Sequence, residues 1–163
     1  SCCRNSRRTE ILWTLMQLDN LYQEVILDHY KNPQNKHLDA NNDAQVHHVN
    51  PSCGDEVTLG VILDGDKVAS VNWEGVGCSI SQASTSIMSD LLIGKTLTEA
   101  QEISDNFLHL MQSKGSEEGN AEILEDAVAL AGVSKYPARI KCALLGWMAF
   151  KDASVQAHSK EEK

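Results

Sequence analysis

The sequence predicts an α+β domain in which a small three-stranded antiparallel sheet packs against several helices. Three features predict it: apolar residues that alternate in the first half of the chain, apolar residues at helical spacing before and after that part, and turn residues between the segments. Strands followed by a run of helices are typical of α+β domains. The chain has 163 residues, which is enough for one domain with a buried core.

The first predicted helix runs from Asp19 to about Tyr30, and Pro33 ends the helical stretch. Three strands are then predicted over residues 44–49, 56–63 and 67–74. Alternating apolar residues in the second and third strands place one face of the sheet in the core. Asp64-Gly65-Asp66 separates these two strands and predicts a hairpin turn.

Helices are predicted after the sheet over residues 78–92, 96–113, 121–131 and 137–153. Gly94 and Gly132 are suitable C-terminal ends for the first and third of them. Thr96-Leu97-Thr98-Glu99 has the pattern of a capping box, which starts the second. Pro137 suits the first turn of the last helix, because its missing N–H has no partner in that turn anyway.

The two ends of the chain are expected to lie outside the domain, which we assign to residues 17–153. Residues 1–16 combine a basic run with a short apolar run, and we interpret them as an extension with Met16 as the natural start. Cys2 and Cys3 are left out of the site on that ground. Residues 154–163 are polar and are expected to form a disordered tail.

Composition excludes several classes of protein. The net charge of -9 argues against a nucleic-acid partner, which would require a basic face. No apolar run approaches the roughly 18 residues of a membrane span. The five cysteines are odd in number and widely spaced, which is unlike a secreted disulfide framework. We therefore expect a protein of the reducing cytoplasm, without a membrane partner.

The candidate site consists of Cys53, Asp55, Cys78 and Cys142. Three thiols and a carboxylate are ligands of tetrahedral zinc, and thiols also hold iron–sulfur clusters. Cys53 and Asp55 are two residues apart and can face the same point in extended chain. Cys78 and Cys142 fall at predicted helix starts, where the helix dipole favours the thiolate. The alternative is three unrelated buried cysteines, with Asp55 as an ordinary turn residue.

Charge around this site can be offset by two basic neighbours of Cys142. Three thiolates and one carboxylate around zinc leave a net charge of about −2, which is unfavourable to bury. Arg139 and Lys141 are the candidates for this supporting role, with solvated surface as the alternative for each. His47 or His48 is an alternative metal ligand, unless the pair lies on a strand with one ring outward.

Three segments resemble the cysteine motifs of the IscU-like family: residues Pro51–Asp55, Gly77–Ser86 and Arg139–Cys142. The likeness runs from about Leu18 to about Ala153. The scaffold branch of the family carries His before the last cysteine and a shorter stretch between the second and third motifs. This chain has Lys141 there and a long helical passage from 96 to 132. Both features resemble the SufU-type branch of iron–sulfur cluster assembly proteins.

The resemblance implies a zinc-dependent sulfurtransferase. Its partner would be a SufS-type cysteine desulfurase that uses pyridoxal phosphate, and downstream Suf scaffold components would be further partners. Cys53 is the expected sulfur carrier, since the family uses the matching residue and a turn can release it from the metal. Two alternatives remain open. One is a scaffold on which a transient iron–sulfur cluster is assembled and handed on, and the other is a purely structural zinc domain.

Overall fold

A computed structural model describes residues 23–52 and 54–161 of the chain. Residues 23–31 are helical (α1). The elements that follow are β1 (Ala44–Asn50), β2 (Asp55–Asp64), β3 (Lys67–Val76), α2 (Ser79–Leu92), α3 (Leu97–Gln112), α4 (Ala121–Leu124), a 3-10 helix (Glu125–Lys135) and α5 (Pro137–Glu161). The predicted extension 1–16, with Cys2 and Cys3, and the predicted start of the first helix lie outside the described residues.

The sheet is antiparallel with strand order β1-β2-β3. A two-residue turn joins β2 to β3, since Asp64 pairs with Lys67, and Gly65 has the positive φ of 63° that such a turn requires. One face of the sheet is buried, with Leu59 and Trp73 fully inaccessible. The predicted fold class is therefore confirmed, and the strand positions agree with the predicted ones to within two residues at each end.

Two helices that carry predicted site residues pack closely against each other. Helix α5 lies against β1, β2 and α2. Ser84 Oγ in α2 donates to the Ala143 carbonyl of α5 at 2.6 Å, and Trp147 Nε1 of α5 donates to Ser84 Oγ at 3.0 Å. Gly146 permits the close approach, because a side chain there would overlap Thr85. The packing fixes the start of α2 relative to the start of α5.

The predicted third helix after the sheet is wrong in type and length. Only Ala121–Leu124 is α-helical, and a 3-10 helix continues past Gly132 to Lys135. Four apolar residues of the 3-10 helix are buried, and three of them, Ala127, Leu130 and Val133, recur every three positions, with Ala129 as the fourth. A 3-10 helix has three residues per turn and places such residues on one face, so the burial pattern favours it over an α-helix.

The predicted end of the last helix is also wrong. Helix α5 continues beyond Ala153 to Glu161, so residues 154–161 are helical instead of a disordered tail. Ala153 and Ala157 lie one turn apart and are both fully buried. Their burial against the core gives the final turns a tertiary contact that the polar composition does not reveal. In the described part of the chain, no helix is long and apolar enough to cross a membrane.

The capping box at the start of α3 is confirmed and yields a stability prediction. Thr96 Oγ1 accepts from the Glu99 amide at 3.1 Å, and Glu99 Oε1 accepts from the Thr96 amide at 3.3 Å. Thr96→Ala removes the first bond, and we expect the free energy of unfolding to fall by about 1 kcal/mol in urea denaturation. The matched control is Thr98→Ala in the exposed first turn, which removes no cap. An equal loss in both variants would contradict the assignment of the effect to the cap.

Candidate metal centre

Three of the four predicted ligands meet at one end of the sheet. The ligand atoms of Asp55, Cys78 and Cys142 all lie within 4.8 Å of one another. Asp55 is the first residue of β2, Cys78 immediately precedes α2, and Cys142 lies in the second turn of α5. Cys53, the fourth, lies outside the described residues, and its proposed roles as ligand and sulfur carrier stay predictions.

Asp55 and Cys78 are tied together by hydrogen bonding. The Cys78 amide donates to Asp55 Oδ1 at 2.8 Å, and Cys78 Sγ lies 3.9 Å from Asp55 Oδ2. Gly77 makes this possible, since it has a φ of 150° and a side chain there would overlap the Asp55 carboxylate. Sequence reasoning noted the glycines beside Cys78 but missed this role for Gly77.

Cys142 is fully buried, and its sulfur has an amide neighbour from the sheet. Asn50 Nδ2 donates to Cys142 Sγ at 3.9 Å, and Asn50 pairs with Asp55 across β1 and β2. An N–H directed at sulfur favours the thiolate over the thiol. Sequence reasoning missed Asn50, and its only signal was a polar residue at the end of an otherwise alternating strand.

The turn that contains Cys53 connects β1 to β2 at this same end of the sheet. The Gly54 amide donates to the Asn50 carbonyl at 3.0 Å, and Gly54 has a φ of 71°. Pro51, Ser52 and Gly54 are exposed. The residues on both sides of Cys53 therefore face solvent, while Asp55 next to Gly54 is fully buried.

Arg139 lies close to the two described sulfurs, in the first turn of α5. Its pKa is raised above the usual value, mainly because the Cys78 thiolate favours the charged guanidinium, and secondly because the Cys142 thiolate does. Arg139 itself is exposed, so it can neutralise charge at the surface of the centre. Lys141 is also exposed, and its supporting role stays a prediction.

The two histidines before Cys53 are engaged elsewhere. His47 Nδ1 lies 2.9 Å from Thr58 Oγ1, and His48 Nε2 lies 2.9 Å from Asp152 Oδ2. The His48 hydrogen bond lowers the pKa of Asp152 below its usual value. Neither ring belongs to the group formed by Asp55, Cys78 and Cys142. In this arrangement the histidines tie strands and α5 together, in place of the alternative role as metal ligands.

The residues present fit a zinc ion. Sulfur ligands around tetrahedral zinc are separated by about 3.8 Å for a Zn–S distance of about 2.3 Å, so a grouping within 4.8 Å requires little adjustment. Asp55 is fully buried, and among the described residues no Lys or Arg nitrogen lies within 4.0 Å of it. A buried carboxylate between sulfurs calls for a compensating cation. Zinc, which accepts both thiolate and carboxylate, meets that requirement.

The sheet, the helices and the two cysteines and aspartate at the sheet end define an α+β domain with a candidate metal centre. Residues 21–143 match the family described as NifU-like N terminal domain, and the chain belongs to this family. The membership predicted from the three cysteine motifs is therefore confirmed.

Similar proteins carry two different names. The chain is 48% identical over 134 residues to "Zinc-dependent sulfurtransferase SufU" of Bacillus subtilis, which covers 82% of this chain and 89% of the relative. It is 42% identical over 140 residues to "Iron-sulfur cluster assembly scaffold protein IscU" of Streptococcus pyogenes, at 85% and 86% coverage. The first of these agrees with the predicted SufU-type branch.

Solved structures confirm the likeness in three dimensions. The crystal structure of a putative iron-sulfur cluster assembly scaffold protein for the SUF system from Fervidobacterium islandicum has a TM-score of 0.74 and 39% identity, and the match covers 80% of this chain and 93% of that one. A nitrogen-fixing NifU-like protein (N-terminal) from Brucella abortus has a TM-score of 0.78 and 25% identity, at 88% and 98% coverage.

Proposed function

We propose that this protein is a zinc-dependent sulfurtransferase. It would accept persulfide sulfur from a cysteine desulfurase that uses pyridoxal phosphate, and pass it on for iron–sulfur cluster assembly. The grouping of Asp55, Cys78 and Cys142 at the end of the sheet carries this proposal. The 48% identity to a relative named as a zinc-dependent sulfurtransferase supports it. A reducing cytoplasm, expected from the cysteine pattern, is the matching compartment.

Zinc would be held by Cys53, Asp55, Cys78 and Cys142. Bound there, it would supply positive charge that keeps thiols deprotonated at neutral pH. Two groups of the chain lie where they would support the same charge. The Asn50 amide donates to Cys142 Sγ, and Arg139 places a permanent positive charge near Cys78 and Cys142.

The transfer step assigned to Cys53 is a thiol exchange. Its thiolate attacks the outer sulfur of a persulfide on the desulfurase and forms a new S–S bond to it. The S–S bond within the donor persulfide breaks, and the donor cysteine leaves as a thiolate. No net oxidation or reduction occurs, and Cys53 ends as the persulfide.

The exposure of the residues beside Cys53 supports its assignment as the carrier, in preference to the other two cysteines. Such an exchange requires an approachable sulfur. The neighbours Pro51, Ser52 and Gly54 are exposed, which supports access to the turn. Cys142 is fully buried, and Cys78 is half-buried with its amide bound to Asp55.

A scaffold on which an iron–sulfur cluster is assembled is the second candidate. The relative from Streptococcus pyogenes, at 42% identity, is named as such a scaffold. Cysteine thiolates are also the usual ligands of iron–sulfur clusters. In this alternative the cluster is cargo that the same residues hold and release.

Metal content separates the two candidates. Protein purified without added metal is expected to be colourless and to contain about one zinc per chain, because a thiolate and carboxylate set suits zinc. Elemental analysis and a visible absorption spectrum measure this. A brown preparation with stoichiometric iron and sulfide, stable in air, would favour the scaffold and contradict the proposal.

A further inference from the structure

The solvent-facing side of the sheet has an open area beside the metal centre, which we call the outer patch. Its members are His47, Val49, Glu56, Thr58, Glu74 and Val76. The pairing of the strands places them in two adjacent rows. Val49, Glu56 and Val76 are cross-strand neighbours, and so are His47, Thr58 and Glu74.

Apolar side chains are unusually exposed in this patch. Val49 is 48% and Val76 is 61% exposed, although valine in a sheet is normally packed against neighbours. Glu56 and Val76 also border a groove of about 270 Å³ in the surface. A shallow groove flanked by exposed valines offers a contact for another molecule.

The charge of the outer patch is negative. Glu56 and Glu74 are exposed and lie diagonally across the β2–β3 pair, because Glu56 pairs with Val76 and Glu74 pairs with Thr58. His47 Nε2 lies 3.7 Å from Glu56 Oε1. No Lys or Arg in the described ranges forms an ion pair with either glutamate. The complementary surface is therefore one with a lysine or arginine next to an apolar contact.

Position connects the outer patch with the metal centre. Glu56 directly follows Asp55, and Val76 is separated from Cys78 only by Gly77. A protein that brings a sulfur atom to this end of the sheet would come close to these residues. The outer patch is thus continuous with the site where the donor must act.

We propose that the outer patch docks the cysteine desulfurase, through a basic side chain of the desulfurase seated between Glu56 and Glu74 and apolar contact with Val49 and Val76. The inference rests on the proposed function and adds to it the surface that recognises the sulfur donor. Attraction between opposite charges speeds encounter and fixes the orientation of the partners, and it weakens as salt is raised.

Charge reversal tests the docking surface. Glu56→Lys and Glu74→Lys, singly and together, are compared with Glu102→Lys. Glu102 is exposed on α3, whose start lies against the β2–β3 turn at the opposite end of the strands, with Leu97 N donating to Asp66 O. The concentration of each variant that half-saturates stimulation of the desulfurase from the same organism is measured at low and high salt. Zinc content and far-ultraviolet circular dichroism check the folded state.

The double reversal is expected to raise the half-saturating concentration by about tenfold or more at low salt, with a smaller difference at high salt. Glu102→Lys is expected to leave it unchanged. Val76→Ser is a second variant that keeps the charges of the patch. It is expected to raise the half-saturating concentration without changing how that concentration depends on salt.

Other results would contradict the docking surface. One such result is an unchanged half-saturating concentration in all patch variants, while the wild type accepts sulfur. It would contradict the docking role of the outer patch but leave the proposed function intact. Normal stimulation combined with loss of onward transfer assigns the patch to the sulfur acceptor and overturns the proposal. The proposal is also overturned if the wild type is a dimer and the charge reversals dissociate it without affecting stimulation of the desulfurase. A wild type that neither stimulates the desulfurase nor accepts sulfur contradicts the proposed function itself.

Discussion

Cys78→Ala is expected to lose most of the bound zinc. The substitution removes a thiolate, the soft ligand that zinc prefers, from the start of α2. It also leaves the fully buried Asp55 beside a single described sulfur, that of Cys142. Zinc content after desalting, measured by elemental analysis, is expected to fall from about one per chain to a small fraction of that.

Asp55→Ala is expected to do milder damage, with partial retention of zinc. A carboxylate is a harder ligand than a thiolate, so three sulfurs can still hold the ion in its absence. Asp55→Asn is the matched variant, since its side-chain oxygen can still accept the Cys78 amide bond while the charge is lost. Equal and full zinc retention in Cys78→Ala and Asp55→Ala would show that the proposed ligand set is wrong.

The strands and the hairpin were predictable because their signals are local. Val57, Leu59 and Val61 alternate with residues of the other face, and burial of one face fixes such a register. Gly65 supplies the positive φ of the turn. The capping box Thr96–Glu99 is equally local, because both hydrogen bonds join residues three apart.

The C-terminal half was predicted less well because its helices depend on tertiary contacts. Residues 154–161 are polar, yet Ala157 is buried and helix α5 continues through them. The 3-10 helix likewise follows from the burial of Ala127, Leu130 and Val133. Local propensity does not report which small residues meet the core, and short helical segments are marginal without such contacts.

The candidate site shows the same division. The spacing of two residues was enough to predict that Asp55 and Cys53 share a site. Cys142, in contrast, follows Cys78 by 64 positions, and the two cysteines come together only because α5 packs on α2. The family resemblance supplied that grouping, which the residues alone left open. Gly77 and Asn50 were missed because their roles depend on the distance to one carboxylate and one sulfur.

Cys53→Ser is expected to abolish stimulation of the desulfurase and formation of a persulfide on this protein. Serine keeps the turn and the approximate size of the side chain, but a hydroxyl is a poor nucleophile toward a persulfide because it stays protonated. The flanking residues Pro51, Ser52 and Gly54 are exposed, so the turn offers the access that thiol exchange requires. The loss is expected to exceed about a hundredfold, since the attacking group itself is removed.

Peptide mass mapping after a single turnover tests the site of sulfur transfer. Wild-type protein is mixed with the desulfurase and free cysteine, and persulfides are trapped by alkylation. The added sulfur is expected on the peptide that contains Cys53. Cys142→Ser serves as the comparison, since it replaces a buried sulfur of the same centre, and it is expected to lower zinc content while Cys53 still accepts some sulfur. Sulfur found mainly on the Cys142 peptide, with Cys53 unmodified, would overturn the assignment and make α5 the carrier.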